Sequence, residues 1–354
     1  MIIETINRHI LSAYSERFHA ADVVRLDPSR TLGDCRYWRI ETAGEMFCLR
    51  QWPKGTPEKE RMQFVQAVLW HSVCEGVDFV PLPFETLENK GFVEHENGYW
   101  ELLPWIGDEE ESGATSAEVR EREAFQTVSA MMSLAQFHLA VSTFPLPNFP
   151  RSISPGIRND LAEWEKWITG RFSSLFEILR GTADCPAHRP ENRLAEAGLS
   201  LLNRAVKSAG NLMVLLTRAA RISVPILPTI GNAHRRHLRF DDDGVYGILD
   251  LKEITIDGVS RDIATLLASL AGTDPLLWNL GIKAYRQVRP LFDEELFVLE
   301  AFDRSRLFLE ALGYLERIFL HGDPCNEFQV HEIGHRLDRI LSRLDDGNRS
   351  RRSA

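Results

Sequence analysis

The chain has 354 residues, of which 44% are hydrophobic and 26% charged, with a formal net charge of −10. This composition excludes wholesale disorder and supplies apolar material for two cores of ordinary size. An acidic chain without a lysine-rich tract argues against nucleic acid as a partner, and no stretch approaches the ~20 apolar residues of a membrane span.

The cysteines Cys35, Cys48, Cys74, Cys185 and Cys325 are odd in number and scattered, without a C-x-x-C pair. That pattern is neither a disulfide framework nor a zinc ribbon, and it points to a reducing compartment. The first residues are amphipathic and interrupted by charge, without the apolar run of a signal peptide, so a cytoplasmic location is expected.

In chain order, Tyr37-Trp38-Arg39-Ile40, the turn Thr42-Ala43-Gly44 and Met46-Phe47-Cys48-Leu49-Arg50 read as a β-hairpin. After a proline-bounded loop, Glu58 to Cys74 has Phe64, Val65, Val68, Leu69 and Val73 at helical spacing. Gly91-Phe92-Val93 and Tyr99-Trp100-Glu101-Leu102-Leu103 read as two strands around an Asn97-Gly98 turn. Beyond Pro104 to Gly107 and an acidic run the pattern turns helical. Helices are expected over 121–141, 156–179, 192–219, 261–271, 275–288, 294–319 and 329–344. Residues 231–250 are the exception, reading as loop, strand, Asp241 to Gly244 turn and strand. The last residues, Gly347 to Ala354, read as a frayed tail. The chain therefore divides into a small β-rich part, 1–106, and a larger, mostly helical part, 107–354, with a hairpin at 230–250.

That order of elements resembles the aminoglycoside phosphotransferase and choline kinase-like family. The resemblance rests on Phe47 to Pro53, Glu101 to Gly107, Leu134 to His138, Gly231 to Phe240, and Gly247-Ile248-Leu249-Asp250 with Arg261 to Ala264. It implies an α+β, bilobal protein-kinase-like fold with a nucleotide cleft between the lobes. It also implies ATP and Mg²⁺ as cofactors and the hydroxyl of a small molecule as phosphoryl acceptor.

Site residues follow by position. Gly33, in Leu32-Gly33-Asp34, resembles the loop over the nucleotide phosphates, and a plain turn glycine is the other reading. Arg50 falls where the family sets a strand-borne cation against those phosphates. Glu101 to Leu103 resembles the hinge whose backbone pairs with adenine. The family's His-Gly-Asp-x-His-x-x-Asn loop aligns with Ile230-Gly231-Asn232-Ala233-His234-Arg235-Arg236-His237. Here Asn232 holds the catalytic-base position and His237 a metal position. Asp250 matches the metal-binding Asp of Asp-Phe-Gly, followed by Leu251-Lys252 instead of Phe-Gly. Asp262 matches the Asp that braces the catalytic loop. The acidic residue that the family pairs with the strand cation has no clear counterpart, with Gln63 and Gln66 near its place.

An amide at Asn232 cannot take a proton near neutral pH, which removes a contribution of about 10²–10⁴ in rate. Two readings stay open: a phosphotransferase working through charge neutralisation, with His234 as substitute base, and an inactive pseudokinase that binds nucleotide or another ligand.

Three further patterns have plainer explanations. His331-Glu332-Ile333-Gly334-His335 fits H-E-x-x-H, the zinc-peptidase signature, but a third ligand is missing downstream. His321-Gly322-Asp323 reads as a loop between helices. Trp164 and Trp167 read as core, and the flanking Glu163 and Glu165 as a solvated face or a contact for a cationic substrate.

Overall fold

The computed structural model describes residues 9–26, 35–52, 59–96, 98–107, 116–146, 151–183, 190–322 and 327–350. The chain divides into two compact units, one of residues 1–144 with 235–255 and the other of 145–234 with 256–354. The fold is mixed α+β, with an antiparallel sheet in the N-terminal part and a helical C-terminal part.

The first unit is built on strands β1 (Asp22–Arg25), β2 (Arg36–Thr42), β3 (Glu45–Trp52), β4 (Val93–His95) and β5 (Gly98–Pro104), ordered β1-β2-β3-β5-β4. The β2–β3 hairpin turns at Ala43 and Gly44, both at positive φ. Register puts Leu49 opposite Trp38 and Leu102, and Phe47 opposite Ile40. Side chains alternate between faces along a strand, so these residues share one face. They bury it with Ile10, Leu11, Tyr14 and Phe18 of the N-terminal segment. Arg50 and Trp52 fall on the other face, where Trp52 packs with Cys35, Phe92 and Met62 of the helix Lys59–Cys74.

Two later pieces complete this unit. One is the helix Ser116–Ala140; the other is the hairpin of β9 (Leu238–Phe240) and β10 (Val245–Ile248). Its turn is the expected one: the Asp241 carboxylate accepts from the amides of Asp243 and Gly244, each at 2.9 Å, and Gly244 has φ +135°. Ser129 and Gln126 of the helix hold the hairpin, accepting from Val245 N at 2.9 Å and Arg235 Nε at 3.1 Å.

The second unit is mainly helices, at Pro155–Lys166, Phe172–Ala183, Pro190–Ala219, Ser260–Ala271, Pro275–Val288, Asp293–Leu315 and Glu327–Ser350. Short strand pairs join them, β6 (Arg151–Ile153) with β7 (Ser223–Pro225) and β8 (Leu227–Thr229) with β11 (Thr255–Asp257). The single helix expected over 156–179 is interrupted by a wide π turn at Trp167–Arg171. Gly170 disfavours the regular helix, and the Thr169 hydroxyl bonds back to the Glu165 carbonyl at 2.8 Å. Trp164 and Trp167 are core residues, fully or almost fully buried. The last helix continues to Ser350, six residues past the expected end and into the segment expected to fray.

Candidate functional site

The hairpin β9–β10 places the acidic candidate. Leu249 N donates to the His237 carbonyl at 2.7 Å, extending the hairpin pairing beyond Ile248. The next residue, Asp250, takes the left-handed conformation, φ 58° and ψ 45°. Only a few per cent of non-glycine residues do so, and Asp is among the more tolerant. The turn sets the Asp250 Oδ2 atom 3.8 Å from His237 Nε2 and its Oδ1 atom 3.5 Å from Lys252 Nζ. Oδ1 is buried and accepts no hydrogen bond. A buried carboxylate oxygen left in that state is costly unless a cation meets it.

His237 is buried, and its Nε2 accepts from Arg236 Nε at 3.0 Å. Ligation of a metal through Nε2 requires the Arg236 contact to open.

A metal at Asp250 fits these residues in one particular way. Among the described residues no three His, Cys, Asp or Glu side chains are assembled to hold an ion by themselves. Mg²⁺ in nucleotide sites is bound through one or two carboxylates together with substrate phosphates. The Oδ1 atom of Asp250, which has no hydrogen bond, suits an ion shared with phosphate oxygens.

Arg50 lies on the sheet face that turns toward the helix Lys59–Cys74. It stands opposite Glu101 in the β3–β5 register and donates to Oε2 through Nε at 3.0 Å and Nη2 at 2.6 Å. Both residues are buried, and Trp52 Nε1 donates to the same oxygen. The other oxygen, Oε1, accepts from Gln66 Nε2 at 2.8 Å, and Gln66 Nε2 also lies 3.1 Å from the Gly91 carbonyl. Burial disfavours the Arg50 charge, but the Glu101 carboxylate more than offsets it and holds the guanidinium pKa above its ordinary value. The acidic partner of the strand cation is therefore on β5, and the helix contributes the amide of Gln66.

That side-chain role of Glu101 is not visible in the sequence, which suggests only its backbone. Leu103 is half-buried and sits opposite Cys48, also within β5. The Arg239 guanidinium closes the end of this segment by donating to the Gly107 carbonyl at 2.9 Å. Gly33 lies outside the described residues.

Cys35 and Tyr37 report how close the charged groups stand. Burial raises both pKa values; Arg50 opposes the rise and Asp250 adds to it at each, while Lys252 also opposes it at Cys35. Arg50, Lys252 and Asp250 thus act on one neighbourhood of the first unit.

Asn232 and His234 belong to the second unit, in a loop opened by Gly231 at φ +80°. Asp262, fully buried in the first turn of Ser260–Ala271, fixes that loop. Its two oxygens accept from Ile230 N at 2.6 Å and Gly231 N at 2.9 Å, the bracing role its position implies.

The remaining motifs make polar contacts at or near the surface. His331 and His335 bring their Nε2 atoms within 3.0 Å on the last helix, while Glu332 pairs with Arg336 at 3.0 Å. No third ligand joins them among the described residues. Glu163 is engaged by Lys166 and Arg171. No helix among the described residues is long and apolar enough to cross a membrane.

The sheet, the helix packed on it and the hairpin ending in Asp250 give the chain a protein-kinase-like fold. Among solved structures it is similar to an aminoglycoside phosphotransferase from Alicyclobacillus acidocaldarius, at 13% identity and TM-score 0.60, over 96% of this chain and 95% of that one. It is similar to a microcompartment-associated aminopropanol kinase at 13% identity and TM-score 0.59, over 98% of both. It is also similar to amicoumacin kinase, solved with AMP-PNP and Ca²⁺, at 13% identity and TM-score 0.56, over 97% and 96%. At such identities the likeness establishes the fold. No protein-family model matches the chain, and no curated protein matches it.

Proposed function

We propose that the chain is an ATP-dependent phosphotransferase acting on a hydroxyl group of a small molecule in the cytoplasm. The observation that carries this reading is Asp250. Its left-handed backbone ends a hairpin at the sequence position of a metal-binding Asp, and its buried Oδ1 accepts no hydrogen bond. The phosphotransferase fold supports it, as does the ATP analogue bound to amicoumacin kinase.

Each residue takes a defined part in the reading. Arg50, fixed by Glu101, neutralises phosphate charge. Asp250 would hold Mg²⁺ shared with the phosphates, with His237 beside it, and the ion would supply charge neutralisation. By sequence position, Leu103 and the backbone of Glu101 match the hinge that receives adenine, and Gly33 matches the loop over the phosphates. In the reaction the acceptor oxygen bonds to the γ-phosphorus as the bond to the β–γ bridging oxygen breaks, and ADP leaves. The hydroxyl proton passes to His234, and the Asn232 amide orients the hydroxyl.

Thermal unfolding with ATP and Mg²⁺ tests the reading. A ligand at 100 times its dissociation constant stabilises by about 2.7 kcal/mol. The wild type is expected to shift, and Asp250→Ala to lose most of the shift. The absence of any shift at millimolar ATP in the wild type would remove the kinase mechanism.

Asn232 favours a second reading, a nucleotide-binding pseudokinase, because an amide is no general base. ADP release, assayed with Asn232→Ala and Asn232→Asp, separates the two. Turnover by the wild type that is lost in Asn232→Ala supports the enzyme. Turnover only in Asn232→Asp supports the binder.

A further inference from the structure

Two-metal phosphoryl-transfer sites of the kinase fold hold their ions with the Asp of Asp-Phe-Gly and a loop Asn. The Asp is kept here as Asp250, but the Asn position and the residues that follow the Asp differ. The Asn position is His237, whose Nε2 accepts from Arg236. The position two residues after Asp250 is a lysine, and its ammonium lies 3.5 Å from the Oδ1 atom that has no hydrogen bond.

Lys252 is held in this place. Its side chain is 17% exposed and that of Asp250 24%, so the pair is largely shielded from solvent. Lys252 lies in the short 3₁₀ turn Leu251–Glu253 that follows Asp250 directly, and Arg61 of the helix Lys59–Cys74 reaches its carbonyl at 3.5 Å. The local charge count decides what such a site prefers. One carboxylate facing one ammonium sums to zero, and Arg236 and the Arg50–Glu101 pair add no net negative charge. A site of that balance attracts a second divalent cation poorly, whereas a polyanionic phosphate chain brings its own charge to the lysine.

We propose that Lys252 is a built-in cation at Asp250 that replaces one of the two divalent ions, so that ATP is held with at most one metal ion. The inference rests on the ATP-binding reading above and specifies its metal requirement. An ammonium on a flexible stem is a compact charge that can turn from the carboxylate to a phosphate oxygen on binding.

The test is the ratio of ATP dissociation constants in EDTA and in saturating Mg²⁺, measured by calorimetry on the full chain. The wild type is expected to lose less than about tenfold when Mg²⁺ is removed, a difference of about 1.4 kcal/mol. In Lys252→Met the same ratio should rise at least tenfold further, with ATP plus Mg²⁺ still bound. Lys252→Arg keeps the charge and should stay near the wild type, which separates loss of the cation from damage to the fold. Mn²⁺ counted by electron paramagnetic resonance in the ATP complex should give one ion per wild-type chain. Two ions, or a ratio unchanged in Lys252→Met, overturn the inference and leave ATP binding intact. Failure of the wild type to bind ATP under either condition overturns the inference and the functional reading together.

Discussion

Arg50 and Glu101 face each other across β3 and β5, 51 residues apart in sequence, and join through two hydrogen bonds of 3.0 and 2.6 Å. The pair fastens the strand cation to the sheet itself. Helix Lys59–Cys74 reaches it only indirectly, through the Gln66 amide on the second carboxylate oxygen. Movement of the helix therefore leaves the two charges matched, which a carboxylate carried on the helix would not.

Breaking this pair from one side leaves a charge buried without its partner, at a cost of about 3–5 kcal/mol. Glu101→Leu is expected to lose stability on that scale. Arg50→Met with Glu101→Leu should recover part of the loss, because a buried pair exchanged for apolar groups is often nearly neutral. Urea denaturation of the two single variants and the double should give a coupling of about 1–3 kcal/mol. Additive losses would mean that the pair does not act as a unit.

Gly91 is the next point of stress in this network. A β-carbon there would lie 2.8 Å from Gln66 Cδ and closer still to Oε1. The amide cannot swing away freely, because its nitrogen contacts both Glu101 and the Gly91 carbonyl. Gly91→Ala is expected to cost about 1–3 kcal/mol by overpacking. In a Gln66→Ala background the added methyl group should cost little. An equal penalty in both backgrounds would place the strain elsewhere.

Asp262 satisfies two backbone donors that open the loop carrying Asn232 and His234. A buried donor left without a partner costs about 1–3 kcal/mol. With Asp262→Ala, amide exchange at Ile230 and Gly231 is expected to accelerate by about one to two powers of ten, tenfold for each 1.4 kcal/mol. Asp262→Asn keeps one acceptor and should protect one of the two amides. Unchanged exchange in Asp262→Ala would show that other groups hold the loop.

The legible parts of the fold have strong local signals. Short apolar runs bounded by turn residues marked β2, β3 and β5, and the Asp-Gly turn marked β9–β10. Strand β1 gave no such signal because most of its side chains are exposed at the sheet edge, and the three-residue strands β6, β7, β8 and β11 are too short to show a period. The site divided in the same way. Arg50, His237 and Asp250 stood out by position within local motifs. The partnership with Glu101 needs the β3–β5 register, and the contact from Lys252 needs the left-handed turn at Asp250. Neither register nor backbone hand is written in residue spacing.

The second unit buries a carboxylate whose ionisation works against the fold. Asp257 is 1% exposed and accepts from the Ser154 hydroxyl, from Gly156 N at 3.1 Å and from Gly258 N at 2.7 Å. Ser154 in turn caps the helix Pro155–Lys166 by accepting from Ile157 N at 3.2 Å. Burial raises the Asp257 pKa above its ordinary 3.8, although the hydrogen bonds from Ser154 and Gly258 and the charge of Arg261 pull it down. A carboxyl whose folded pKa lies above the unfolded one binds more protons in the native state. Its contribution is fully present below the unfolded value and fades as pH rises through the folded one. Asp257→Asn removes that titration but keeps one acceptor oxygen. The unfolding temperature of Asp257→Asn relative to wild type is therefore expected to climb as pH rises from 3.8 through the folded pKa, and to level off above it. A difference that stays constant across this range, or falls, would show that the hydrogen bonds outweigh burial at Asp257.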